Sequence, residues 1–175
     1  MGRVGTRRRL HLQVFTVRQA QTKCPRMKKN PLRLFHVEDD AGDRELFQMA
    51  VKKLMIPLHL TGATDGEEAF QSLSTAAENA LPDVILLDLN LPKKDGRQLL
   101  AEAKRHNRLK LIPIVILTTS SAPVDIETCY ANGAACYLVK PIDFQGLTAL
   151  VKKLLEFWQE VEIPGRFGKP VPPEL

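Results

Sequence analysis

The sequence contains no apolar run approaching the roughly 18 residues a helix needs to cross a bilayer. Residues 1–30 lack the apolar stretch of a secretory signal. A cytoplasmic protein without membrane attachment is therefore expected. Cysteine is scarce: Cys24, Cys129 and Cys136 have neither the spacing of a zinc site nor that of a disulfide framework. Idle thiols in a reducing compartment are the expectation. The four histidines, His11, His36, His59 and His106, are scattered and read as packing or surface residues. No internal repeat is present, and nothing after the last helical pattern has the composition of a second folded domain.

Acidic residues are missing from positions 1–31, which hold nine Lys or Arg side chains, among them Arg7, Arg8 and Arg9. The formal charge of +5 is thus a property of the leader. What remains carries 16 basic and 20 acidic side chains, so the body is mildly acidic. A basic arm over residues 1–30 can touch nucleic acid or a membrane surface. Its plainer reading is a disordered extension or an extended gene start, since Met27 opens a natural beginning just ahead of the first apolar run. An acid-free, Arg-rich leader also fits a transit peptide weakly.

From residue 32 onward, short apolar runs alternate with amphipathic segments. "LRLFHV" is strand-like, and residues 44–54 follow with apolar side chains at helical spacing. "LHLTGA" predicts a second strand and "DGEEAFQSL" a second helix. "DVILL" is a third strand whose unbroken apolar run suits burial on both faces. Helices are expected over 96–106 and 124–132, the latter stopped by Asn132-Gly133. "IPIVILT" and "ACYLV" supply two more strands, and Asp143 can cap a last helix reaching about residue 161. Strands alternating with helices indicate an α/β domain with a parallel sheet over 31–162. Residues 163–175 hold too much Pro and Gly for regular structure.

In an open parallel sheet, ligand sites form beyond the carboxyl ends of the strands. The first strand ends in Glu38-Asp39-Asp40. The third ends at Asp88, with Asn90 two residues on. The fourth ends in Thr118-Thr119-Ser120 and the fifth in Lys140-Pro141, while the second offers nothing comparable. Each piece alone has a plainer explanation: a helix cap for the acids, a turn for Asp88, a surface position for Lys140. Together they are acids, hydroxyls and one ammonium on a single rim. Clustered carboxylates repel unless a cation joins them, and hard oxygen donors suit Mg²⁺. Carboxylates also serve as phosphoryl-accepting nucleophiles, so the rim points to phosphoryl transfer onto an aspartate.

The pieces "VEDD", "DVILLDLNLPKKDG", "ILTTS" and "YLVKP", in this order and spacing, resemble the receiver domain of two-component response regulators over residues 32–161. The resemblance implies a flavodoxin-like five-stranded parallel sheet of order 2-1-3-4-5 with five helices, and a signalling switch instead of a dedicated enzyme. It implies that Asp88 accepts a phosphoryl group from a sensor histidine kinase. Glu38, Asp39, Asp88 and the Asn90 backbone carbonyl would hold Mg²⁺, although Glu38 stands where many members have Asp. Thr118 and Lys140 would contact phosphoryl oxygens, with Tyr137 as the aromatic switch, and Lys140-Pro141 would be a cis peptide. Asn90 and Ser120 would tune the phosphoryl lifetime, and Asp40 is spare. "LTTSSAPVDIETCYANGAACYLVKPIDF" and "FWQEVEIP" resemble single-domain regulators paired with phytochrome-type histidine kinases.

The last helix carries an apolar stripe of Phe144, Leu147, Val151, Leu154 and Trp158, widened by Leu150, Phe157 and Val161. This exceeds what one sheet face needs. A homodimer through Leu150, Leu154, Phe157, Trp158 and Val161 is expected, with output by binding since no DNA-binding output domain is recognised. Three competing readings differ in class. A phosphatase of the haloacid dehalogenase type needs an acid two residues after the nucleophile, where this chain has Asn90. A nucleic-acid binder would work through residues 1–30. An unphosphorylated adaptor would have no use for the complete acid, Thr and Lys set.

Overall fold

The computed structural model describes residues 31–163. The expectations for the basic arm and for the tail beyond residue 163 lie outside the described residues. The chain alternates β1 (Leu32–Val37), α1 (Ala41–Leu54), β2 (Leu58–Ala63), α2 (Gly66–Thr75), β3 (Val84–Leu87), α3 (Gly96–Arg105), β4 (Ile114–Thr118), α4 (Pro123–Ala131), β5 (Cys136–Val139) and α5 (Phe144–Glu160), with a 3-10 turn at Glu78–Ala80. Local chemistry sets the helix starts: Asp40, Asp65, Asp95 and Asp143 each accept a backbone N–H of the helix that follows.

All strand pairs are parallel and the order is β2-β1-β3-β4-β5, as the resemblance implied. Side chains alternate across a strand, which explains the unbroken apolar run of β3. Ile85 and Leu87 enter a core roofed by α2, α3 and α4, while Val84 and Leu86 enter the opposite core under α1 and α5. Chain reversal from sheet to helix therefore occurs at the same edge for every unit, and the residues after each strand gather on one rim.

One expectation is corrected. No peptide bond among the described residues is cis, so Lys140-Pro141 is trans. Trans is the intrinsically favoured isomer even before proline, by about 0.5–1 kcal/mol. The α5 stripe also serves the monomer: Leu154 and Trp158 are buried, Leu150 and Val161 pack half-buried at the core edge, and only Phe157 is exposed, at 59%. The stripe is wide because α5 packs against both the sheet and α1, sharing its core with Phe47 and Ala50. Ile163, which the sequence groups with the tail, is buried in the same core.

Candidate functional site

Register builds the site. Val37 of β1 pairs with Leu87 of β3, so the next residues, Glu38 and Asp88, emerge side by side. Thr118 of β4 pairs with Val139 of β5, and the N–H of Lys140 donates to the Thr118 carbonyl at 2.7 Å. The polar side chains at these strand ends therefore converge without any loop having to travel. Gly96 lets the β3–α3 loop fold back tightly, since a Cβ there would lie 2.1 Å from the Asp88 carbonyl oxygen.

The Asp88 carboxylate is buried and faces two ways. Its Oδ1 accepts backbone N–H bonds from Leu89 at 2.6 Å and, more loosely, from Asn90 at 3.4 Å. Its Oδ2 accepts from Lys140 Nζ at 3.0 Å. The same ammonium donates to Glu38 Oε2 at 2.5 Å and Asp43 Oδ2 at 2.7 Å. Burial works against the charge on Lys140, but its bonds to Asp43 and Glu38 and the charge of Asp88 outweigh it and raise its pKa. Glu38 is pushed up to about 7 by burial, against the pull of Lys140 and with the push of Asp88. His36, tilted against Phe47 with ring centroids 4.5 Å apart, is pushed down to about 4 by burial first and the Lys140 charge second.

Carboxylate oxygens of Glu38, Asp39 and Asp88 lie within 4.8 Å of one another. Ionised groups this close repel, and one ammonium shared with a fourth acid does not balance them. An all-oxygen set of this kind, with exposed Asp39 leaving room for water, fits a hard divalent cation. The longer side chain of Glu38 therefore does reach the cluster. Asn90 is exposed, in the loop just beyond.

Thr118 is fully buried, and its hydroxyl has no hydrogen-bond partner among the described residues. An unpaired buried hydroxyl costs about 1–3 kcal/mol, and this one stands at the last residue of β4, on the rim that carries Asp88 and Lys140. Tyr137 is half-buried against the α2–α4 core and donates its hydroxyl to the Ser120 carbonyl at 3.0 Å. Ser120 Oγ donates to Asp125 Oδ2 at 2.6 Å, and Arg97 binds the other oxygen of that carboxylate at 2.7 Å. The β4–α4 loop is thereby tied to α3, α4 and β5 at once.

The response regulator receiver domain family matches residues 34–152. The chain belongs to that family. Response regulator Rcp1 of Synechocystis is 41% identical over 127 residues, covering 71% of this chain and 86% of the relative. A probable methanogenesis regulatory protein, FilR2 of Methanothrix harundinacea, is 35% identical over 132 residues, covering 74% and 85%. Among solved structures, the phosphorylated cyanobacterial phytochrome response regulator RcpA superposes with a TM-score of 0.71 at 40% identity, covering 77% of this chain and 99% of that one. Rcp1 in its Mn²⁺-bound form gives 0.70 with the same identity and coverage. The likeness to phytochrome response regulators expected from the sequence is borne out.

The receiver fold also places residues that the sequence reading left aside. Asp43, in the first turn of α1, is a direct partner of Lys140; from sequence it reads only as an acid near a helix N-terminus. Asp40 is the N-cap of α1, accepting from the Asp43 N–H at 2.8 Å. Arg44 donates to the carbonyls of Glu38 at 2.9 Å and Asp39 at 2.8 Å, fixing the acidic loop. The end of β2 is not empty: buried Asp65 caps α2 and binds Lys93 Nζ at 2.6 Å, which holds the β3–α3 loop from the side. No helix among the described residues is long and apolar enough to cross a membrane.

Proposed function

We propose that this chain is a phosphorylation-dependent signalling switch that accepts a phosphoryl group on Asp88 from a phosphohistidine of a sensor kinase. The observation that carries the reading is Lys140 at 3.0 Å from a buried Asp88 carboxylate, beside an acidic set suited to a divalent cation. In the transfer, a carboxylate oxygen of Asp88 attacks phosphorus. The O–P bond forms as the P–N bond breaks, and the electron pair returns to the imidazole, which takes up a proton. Such transfers are catalysed chiefly by positioning and charge neutralisation.

Mg²⁺ held by Glu38, Asp39, Asp88 and the Asn90 carbonyl would neutralise charge on the phosphoryl oxygens. Lys140 holds one of those oxygens, and the free Thr118 hydroxyl donates to another. The backbone N–H groups of Leu89 and Asn90 keep the Asp88 carboxylate oriented. The product adds about −1.5 to −2 charge units to the rim. Drawing Thr118 inward vacates space that Tyr137 takes up, shifting a two-state equilibrium across α4, β5 and α5. Asn90 and Ser120 stand where they tune the lifetime of the aspartyl phosphate. Output is by binding, including self-association through the α5 face centred on Phe157.

The likeness to RcpA, a cyanobacterial phytochrome response regulator, and to AtBRR, a bacteriophytochrome response regulator at 33% identity and TM-score 0.58, supports a phytochrome-type kinase as partner. Incubation with Mg²⁺ and acetyl phosphate tests the reading by intact mass. Wild type gains one phosphoryl group and Asp88→Asn gains none. Equal labelling of the two would overturn the assignment.

A further inference from the structure

The Lys140 ammonium is shared by three carboxylates, at 2.5 Å from Glu38, 2.7 Å from Asp43 and 3.0 Å from Asp88. Glu38 and Asp88 belong to the acidic set whose oxygens converge for a cation; Asp43 does not. A cation seated in that set engages two of the three partners of Lys140. The partner left over is Asp43. It sits on α1, and its own backbone N–H is fixed by Asp40, so its position does not depend on the cation.

We propose that Asp43 is a positioning residue: it anchors the Lys140 ammonium beside Asp88 when Glu38 and Asp88 turn to the cation and the phosphoryl group. This rests on the phosphoryl-transfer reading above. The physical need is specific. Lysine is a point charge on a flexible four-carbon stem, with three donors and no fixed geometry. Lys140 is only about 10% exposed, so an ammonium losing two partners is not compensated by water. Without an anchor it swings toward solvent or competes for the cation's oxygens. Held by Asp43, it keeps one donor engaged and the others directed at the oxygens arriving on Asp88. A Glu38 that reaches both cluster and lysine makes such an independent anchor more necessary.

The test is a double-mutant cycle on the full chain. The rate of phosphoryl incorporation from acetyl phosphate at saturating Mg²⁺ is read by intact mass, and Mg²⁺ affinity is read separately from the shift in thermal midpoint. Asp43→Asn should slow incorporation about tenfold, the scale of one charge-assisted hydrogen bond, with Mg²⁺ affinity within about twofold of wild type. Asp43→Glu should recover part of the rate. In a Lys140→Ala background, or in Lys140→Gln if alanine fails to fold, Asp43→Asn should have no further effect. An unchanged rate in Asp43→Asn overturns the proposal while wild type still labels on Asp88. So does an equal loss with and without Lys140, or a loss that tracks Mg²⁺ affinity. Failure of wild type itself to label overturns the underlying reading as well.

Discussion

Lys140 Nζ lies 2.5 Å from Glu38 Oε2, so the lysine of the site is paired most closely with an acid of the cation cluster. One ammonium supplies only part of the positive charge that the clustered carboxylates of Glu38, Asp39 and Asp88 call for, so their repulsion is only partly relieved. A divalent cation should therefore stabilise the fold itself. At a free Mg²⁺ concentration 100-fold above its Kd, the expected gain is about 2.7 kcal/mol. Asp39→Asn should remove most of it. Denaturant titration with and without Mg²⁺ checks this, and equal gains in both proteins would count against the site.

Thr118 offers a trade between stability and function. Its buried hydroxyl lacks a partner, so Thr118→Val, which keeps the shape, should leave stability unchanged or raise it by about 1 kcal/mol. The same variant should lose its phosphoryl group faster. Denaturation midpoints and decay of the labelled mass measure the two effects independently.

The pH dependence of stability, measured without divalent cation, should reflect two opposed side chains 4.0 Å apart. Glu38 is raised in the fold to about 7, so its contribution is full below its ordinary 4.5 and is lost as pH rises toward 7. His36 is lowered to about 4, so its contribution is full above 6.5 and is lost as pH falls toward 4. Between pH 4.5 and 6.5 the two slopes oppose each other. Glu38→Gln should expose a stability that falls with falling pH more steeply than in wild type. Identical profiles would contradict it.

Gly96 lies where the β3–α3 loop touches its own start. A Cβ there would meet the Asp88 carbonyl at 2.1 Å and the Leu89 Cα at 2.7 Å, both backbone atoms that cannot swing away. Gly96→Ala should cost about 1–3 kcal/mol and slow labelling of Asp88 by displacing its carboxylate. A variant of wild-type stability and rate would refute this close contact.

Phe157 is the residue on α5 through which self-association should act. Phe157→Ser should change monomer stability by no more than about 0.5 kcal/mol, because the side chain is 59% exposed. It should weaken the dimer formed with a phosphoryl analogue, as read by sedimentation velocity. A wild type that stays monomeric with the analogue would sink the dimer reading.

Most of the fold was legible because apolar runs of strand length alternate with helical spacing and end in caps such as Asp143, which accepts the Gly146 N–H at 2.8 Å. The site was legible because its chemistry follows those runs directly: Glu38 after β1, Asp88 after β3, Lys140 after β5. Other features depended on neighbours far along the chain. Nothing local in "VEDD" says that Asp40 turns to cap α1 while Glu38 turns inward to the lysine. Asp43 reads as one acid among several until the fold brings Lys140, from just beyond β5, within 2.7 Å of it. The end of β2 offers nothing comparable in sequence, yet Asp65 there caps α2 and is bound by Lys93 from the β3–α3 loop. The α5 stripe looked like surplus because sequence cannot count how many surfaces one helix covers.

By itself, then, the sequence determined the alternating α/β order, the parallel sheet and the residue types at its carboxyl rim, because periodicity and strand-end chemistry are local properties. Only the tertiary structure decided how three carboxylates divide one ammonium, why Thr118 keeps an unpaired hydroxyl, and which apolar side chain of α5 stays outside. Those outcomes are set by register and packing between segments as far apart as Glu38 and Lys140, and no local pattern encodes a distance across the fold.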